Sequence, residues 1–292
     1  MPNFKVLMKV LVSELATFER AQRVVEPDLV MDRQEQVDAY SQAGAKGGTM
    51  ASLNLFHSAQ IAEVIRPGDT VVDLACGSAN QLAQVAQLNP DSRFLGVDLS
   101  PHMLDRARQF VAEKGLSNCE FRLASITDLE FLKDRSVDVV MSTMALHHLP
   151  DTASLQQCFR EARRILKPDG GVYFSDLGHF RAEKSIEYAS RQYADQQPEV
   201  FTIDYLNSLR AAFSLQDFRD AAQVFGEQVS VLSTFLVRYM IVVKSAARRP
   251  PDQALGSALD ALRQGLPDGH RADLKDLILF FRLGGLATPY FG

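Results

Sequence analysis

Two acids and a pair of histidines carry the chemistry this sequence displays. Asp73 closes an apolar run in VVDLACGSANQ (71–81) and is followed at once by small residues, Gly77 among them. Asp98 closes a second run, FLGVD (94–98), twenty-five residues later. A carboxylate at a strand end presents two acceptor oxygens, which suits the paired hydroxyls of a ribose. The turn after Asp73 offers backbone N–H groups with few side chains in the way. His147 and His148 follow a third run, VDVVMSTMAL (137–146). Histidine titrates near neutrality, so either ring could take a proton from a nucleophile; packing or loop hydrogen bonding is the competing role. Cys76 has no basic neighbour in sequence to lower its pKa and reads as a small loop residue.

Such residues act together only if strands bring their ends to one edge. Short apolar segments at 70–75, 93–98, 119–124, 137–142 and 171–175 are rich in Val, Phe and Leu, as in strands covered on both faces. Helical patterns lie between them. Ser100 as N-cap, Pro101 at the first helical position and Gly115 as terminator delimit one. Asp151 opens another that is expected to stop at 168–171. The alternation predicts a doubly wound, parallel α/β sheet. Ligands of such sheets sit at the carboxyl ends of the strands, where all the residues above fall. SLQD (214–217) reads as a capping box, and 228–235 with 237–245 as two closing strands.

Two nucleotide-binding readings weaken at the turn. The dinucleotide fingerprint needs G-x-G-x-x-G, whereas Gly77 stands between Ala75 and Ala79; a phosphate loop needs Gly-Lys-Ser/Thr, which is absent. Asp73 would repel a pyrophosphate but attract an ammonium and a sulfonium. Charge thus favours S-adenosylmethionine over NAD. The motifs VVDLACGSANQ, FLGVDLSPHML (94–104), VDVVMSTMALHHLP (137–150) and RILKPDGGVYFSD (164–176), in that order, resemble the class I S-adenosylmethionine-dependent methyltransferases over roughly 68–176. The resemblance implies a Rossmann-like, seven-stranded methyltransferase fold. It also implies that the Ala75–Gly77 backbone approaches the methionine moiety, that Asp98 binds the ribose, and that Leu99 and Met103 flank the adenine. Asp73 would orient the loop or hold the amine through water. Ser125 stands where the family commonly has an acid for the adenine amino group, with Ile126 beside the ring; Asp128 is the alternative acceptor. Ser142 is counted with the cofactor-binding residues. Tyr40, in 32–44, is a candidate lid residue.

The whole chain of 292 residues reads as an N-terminal helical lid (1–50), a methyltransferase domain (51–245) with a helical cap (180–227), and a helical tail (246–292) joined through AARRPP. The cap resembles that of small-molecule methyltransferases, so the expected acceptor is an O, N or C nucleophile of a small, partly apolar metabolite. The Asn/Asp-Pro-Pro-aromatic motif of nucleic-acid amino-methylating enzymes and the paired glutamates of protein-arginine enzymes are missing after 142. An RNA- or protein-modifying enzyme and a non-catalytic S-adenosylmethionine-binding module are the alternatives. A net charge of −5 gives no reason to expect a nucleic-acid partner, and no apolar run is long enough for a bilayer. Three scattered cysteines and the lack of a convincing signal peptide suggest the cytoplasm. No metal is expected, because adjacent histidines cannot close around an ion without further ligands, for which Asp176 and His179 are only candidates. The terminal additions, including DLILFFRLGG (276–285), could pack on the core or form a homodimer contact.

Overall fold

The computed structural model describes residues 4–18, 20–27, 34–44, 47–195 and 197–291. Asp32 and Arg33, which open the expected lid helix, lie outside the described residues. Seven strands form one sheet in the order β3-β2-β1-β4-β5-β7-β6. They are β1 (Thr70–Leu74), β2 (Arg93–Asp98), β3 (Cys119–Leu123), β4 (Val137–Thr143), β5 (Leu166–Leu177), β6 (Val229–Ser233) and β7 (Met240–Ser245). The first five run parallel, and β7 is antiparallel to both of its neighbours. The chain moves outward from β1 to β3, then crosses back to place β4 beside β1. Loops leaving β1 and β4 therefore diverge, and a crevice opens between them at the carboxyl edge.

Alternate residues of the central strands feed two cores, which explains their unbroken apolarity. Val71, Val139, Met141 and Tyr173 face one layer; Val72, Val140, Val172 and Phe174 face the other. The first layer holds helices α3 (Ala51–Ala62), α4 (Asn80–Leu88) and α5 (Pro101–Glu113); the second holds α6 (Thr152–Ile165) and α9 (Leu215–Ala222). Ser100, Asp151 and Ser214 cap their helices through side-chain bonds, the last in a complete capping box. Helix α6 ends at Ile165, ahead of the expected stop, because Leu166 already pairs with Val137; the register slips before Val139 meets Gly171.

The segment 180–227 divides in two. Ile186 and Ala189 of α7 (Glu183–Ser190) and Leu209 of α8 (Glu199–Ala211) join the first core, whereas Phe218 and Ala221 of α9 lie in the second with Phe159 and Phe174. At the N-terminus α1 (Phe4–Ala16) lies against α7, with the Lys9 ammonium over the Tyr188 ring, and α2 (Gln34–Gly44) reaches α8. The tail helices α10 (Gln253–Gln264) and α11 (Asp268–Leu283) pack on α3, where Phe281 stacks on Phe56 at 4.8 Å. The expected linker is pinned. Arg248 donates to Asp69 Oδ2 at 2.6 Å and to the Val64 carbonyl at 2.9 Å.

A buried histidine gives this core a pH dependence. His57 is fully buried, with Nδ1 2.7 Å from the Tyr173 hydroxyl. Burial pushes its pKa down to about 3, with Asp176 opposing. The unfolded chain binds a proton below about pH 6.5 that the native ring refuses, so stability present at pH 7 is lost as pH falls toward 3. The slope is about 1.4 kcal/mol per pH unit. Urea denaturation between pH 7 and 5 should show this loss, and His57→Gln should remove about one proton's worth of it. An unchanged slope in the variant would assign the dependence to other groups.

Candidate active site

Beyond β1 the chain turns through residues 75–79 into α4. Ala75, Gly77 and Ala79 take φ values of 56°, 53° and 63°. Glycine does so freely, but the left-handed region costs an alanine about 1–2 kcal/mol. Strain of this kind persists where the surroundings over-determine the backbone, commonly at ligand sites. Here it folds the loop onto the end of β2. Gly77 N donates to Asp98 Oδ2 at 2.8 Å, and Cys76 N to the Val97 carbonyl at 3.0 Å. The other carboxylate oxygen of Asp98 accepts from Ser100 N at 2.9 Å. Burial raises the Asp98 pKa, and these N–H donors partly oppose the rise.

A cavity of about 290 Å³ opens beside this latch. Ala75, Gly77, Asp98 and Leu99 line one part, with Leu99 half exposed. Met103, Ser125 and Ile126 line another. The Ser125 hydroxyl bonds that of Thr127 at 2.8 Å, and Thr127 also faces the cavity; Asp128 is not in its wall. Two expected members stand back. Ser142 is buried and donates its hydroxyl to the Leu74 carbonyl at 2.8 Å. Asp73 borders a separate space of about 20 Å³, room for one water. Burial, then the charge of Asp98, holds the Asp73 carboxyl well above the usual range.

A second cavity of about 110 Å³ shares Tyr40, Met144 and His148 with the first. Helix α8 supplies Phe201, Asp204 and Tyr205, and the tail helix α11 supplies Asp273 and Leu277. The Tyr205 and Tyr239 hydroxyls bond each other at its wall. No Lys or Arg among the described residues lines either cavity. Asp204 is pushed up to about 6 by burial and then by Glu26, with the histidines opposing. Tyr40 stands at the junction, 3.4 Å from where a Cβ on Gly77 would lie; burial, then Asp98 and Asp73, raise its phenol above the ordinary range.

The histidines occupy a single 3₁₀ turn, Leu146–His148, after β4. Asp176 at the end of β5 accepts from His147 N at 2.8 Å and meets its Nδ1 at 2.6 Å. Burial would lower the His147 pKa, but Asp176 and then Glu26 outweigh it and raise it. Glu26 lies 2.8 Å from His148 Nδ1 and 3.7 Å from His147 Nε2, and accepts from Ser208 at 2.7 Å. Burial opposes its ionisation, yet these partners hold its carboxyl below the usual range. Arg23 fastens this N-terminal stretch by donating to the carbonyls of His147, Leu149, Pro150 and Ala211 while lying 3.9 Å from the Phe213 ring centre. His179 is used elsewhere, at the Ala21 carbonyl.

Met144, Glu26 and Arg23 are positions at this site that the sequence reading did not find. Met144 holds φ 55° and borders all three spaces, an outlier visible only in the backbone. Glu26 and Arg23 sit in RVVEP (23–27), which carries no local motif.

Comparison with known proteins agrees with this arrangement. A family model described as a methyltransferase domain matches residues 65–209. An arsenite methyltransferase of Halobacterium salinarum is 38% identical over 112 residues, covering 38% of this chain and 28% of that one. A second, from Aquipseudomonas alcaligenes, is 35% identical over 175 residues, covering 57% and 46%. The chain thus spans less than half the length of either relative. A ubiquinone biosynthesis O-methyltransferase of Acinetobacter baylyi is 27% identical, with 53% and 63% covered. Among solved structures, the plantazolicin methyltransferase BpumL in complex with SAH shares the fold, with a TM-score of 0.53, 15% identity, and 90% and 95% of the chains covered. Through residues 65–209, with the motifs, strand order and loop geometry described, the chain belongs to the class I S-adenosylmethionine-dependent methyltransferases.

Proposed function

We propose that this protein transfers the methyl group of S-adenosylmethionine to an oxygen, nitrogen or carbon nucleophile of a small, partly apolar metabolite. The observation that carries this reading is the junction of two cavities at Tyr40, Met144 and His148. The residues of the larger one suit the cofactor. Asp98 is a half-buried carboxylate beside an open wall, fit for a diol, and its charge favours a cation over a pyrophosphate. When bound, S-adenosylmethionine supplies a methyl carbon already activated by its sulfonium.

This chain's own task is then alignment and the exclusion of water. Tyr40 and Met144 separate the cavities and set the approach, while α8 and α11 roof the smaller one. Aromatic and aliphatic walls with a few polar groups suit a small amphipathic acceptor. His147 and His148, the candidate catalytic residues, are held by Asp176 and Glu26 at the wall of the smaller cavity. An arsenite acceptor is disfavoured. Thiophilic arsenic calls for clustered thiols, whereas among the described residues the one group of at least three metal-ligating side chains contains no cysteine.

The test is incubation of the protein with methyl-labelled S-adenosylmethionine and a metabolite extract, followed by mass spectrometry of labelled products. Failure to label any small molecule, with intact cofactor binding, would favour the binding-module alternative. Once an acceptor is known, Tyr40→Ala should lower kcat/KM for it by about tenfold through looser alignment. Tyr40→Phe should retain most activity. Equal losses in the two variants would point to the phenol rather than to the ring.

A further inference from the structure

We propose that Glu26, His147 and His148 bind one divalent first-row transition-metal ion at the wall of the smaller cavity. One ligand atom from each lies within 4.8 Å of the others, although Glu26 is more than a hundred residues away in sequence. The histidine turn alone could not enclose an ion. Glu26, brought in by the N-terminal stretch, supplies the missing carboxylate.

Two local features point to a cation. Asp176 takes the Nδ1 side of His147 at 2.6 Å, which leaves the lone pair of a neutral ring on Nε2, facing Glu26 Oε1 at 3.7 Å. Two acceptors then face each other at a distance no hydrogen bond spans, and a metal ion between them would satisfy both. His148 Nδ1 is buried and makes no hydrogen bond of acceptable geometry, although Glu26 Oε2 is only 2.8 Å away. The surroundings fit the same assignment. A carboxylate behind a ligating imidazole is the usual orienting partner in metal sites, and Asp176 is itself fixed by the backbone N–H groups of His147 and Leu177. Ser208 donates to the same Glu26 Oε1 at 2.7 Å and so fixes the carboxylate's position, with a lone pair of that oxygen still free for an ion. Arg23, the nearby guanidinium, spends its donors on four main-chain carbonyls rather than on Glu26. Two imidazoles and one carboxylate suit zinc, cobalt, iron or nickel better than magnesium or calcium. His147, His148 and Asp204 line the cavity, so an ion there would leave its open positions toward a small ligand.

The proposal does not depend on methyl transfer and is tested without it. The chelator-stripped protein, residues 1–292, is titrated with Co²⁺ followed by visible absorption, and with Zn²⁺ followed by calorimetry. One equivalent should bind, with absorption bands of a nitrogen- and oxygen-ligated cobalt ion. Glu26→Gln and His148→Gln should each weaken binding at least a hundredfold, and Asp176→Asn by about 10–100-fold. Circular dichroism and melting temperature, measured on the same samples, report that the variants remain folded. Absence of stoichiometric cobalt or zinc uptake would overturn the proposal. So would uptake that is equal in the wild type and in folded Glu26→Gln and His148→Gln; the cluster would then be a hydrogen-bonded ion-pair network only.

Discussion

Gly77→Val is expected to abolish S-adenosylmethionine binding, by more than a thousandfold or about 4 kcal/mol. Gly77 takes φ 53°, and a Cβ there would already touch the Tyr40 ring at 3.4 Å. Valine adds two γ carbons to that contact and is a β-branched residue in a region such residues almost never enter. The backbone would leave the left-handed region, withdrawing Gly77 N from Asp98, or the γ carbons would enter the cavity. Either result removes the site. Gly77→Ala is the graded control, because Ala75 and Ala79 show that alanine holds this conformation here at about 1–2 kcal/mol. Calorimetry on samples with matched circular dichroism and melting makes the comparison. Normal binding by a folded Gly77→Val protein would exclude the loop as the cofactor cradle and reopen the dinucleotide reading.

The parts of the site that were legible in sequence are those whose chemistry is local. Strand-end acids, a small-residue turn and a capped helix each announce themselves within a dozen residues, and Asp98, Gly77, Leu99 and Met103 do border one cavity. Placement on a strand does not decide which side of it a group serves. Ser142 shares its edge with the site yet bonds the Leu74 carbonyl behind it. Contacts between distant segments left no trace. Glu26 meets the histidines where Arg23 binds carbonyls of the turn after β4 and of the end of α8, and carbonyls have no sequence signature.

The tail illustrates the same limit from another direction. AARRPP reads as a linker because its composition is polar and proline-rich, yet Arg248 is buried against Asp69. Its charge is paired and its N–H groups meet carbonyls, conditions under which a guanidinium can be enclosed. DLILFFRLGG lies on the core through Phe281 and carries Asp273 and Leu277, just ahead of and within it, to the smaller cavity. Helical periodicity predicted an apolar face there but could not say what the face meets.

Asp98→Ala should weaken S-adenosylmethionine by about 3 kcal/mol, somewhat over a hundredfold. Loss of charged hydrogen bonds to a ribose accounts for about 1.5–3 kcal/mol. The structure adds a second contribution, because the same carboxylate latches Gly77 N and Ser100 N. Alanine leaves both N–H groups unpaired and frees the turn that must meet the cofactor. Asp98→Asn separates the two roles. Its one carbonyl oxygen can keep either Gly77 N or Ser100 N, while its NH₂ must face the other donor. Asparagine should therefore bind more weakly than wild type but better than alanine, with a measurable loss of melting temperature in the cofactor-free protein. If Asp98 served the ribose alone, alanine and asparagine would leave the cofactor-free melting temperature unchanged. Should alanine bind S-adenosylmethionine normally while folded, Asp98 would be a structural latch only, and the diol would have to be held elsewhere in the cavity.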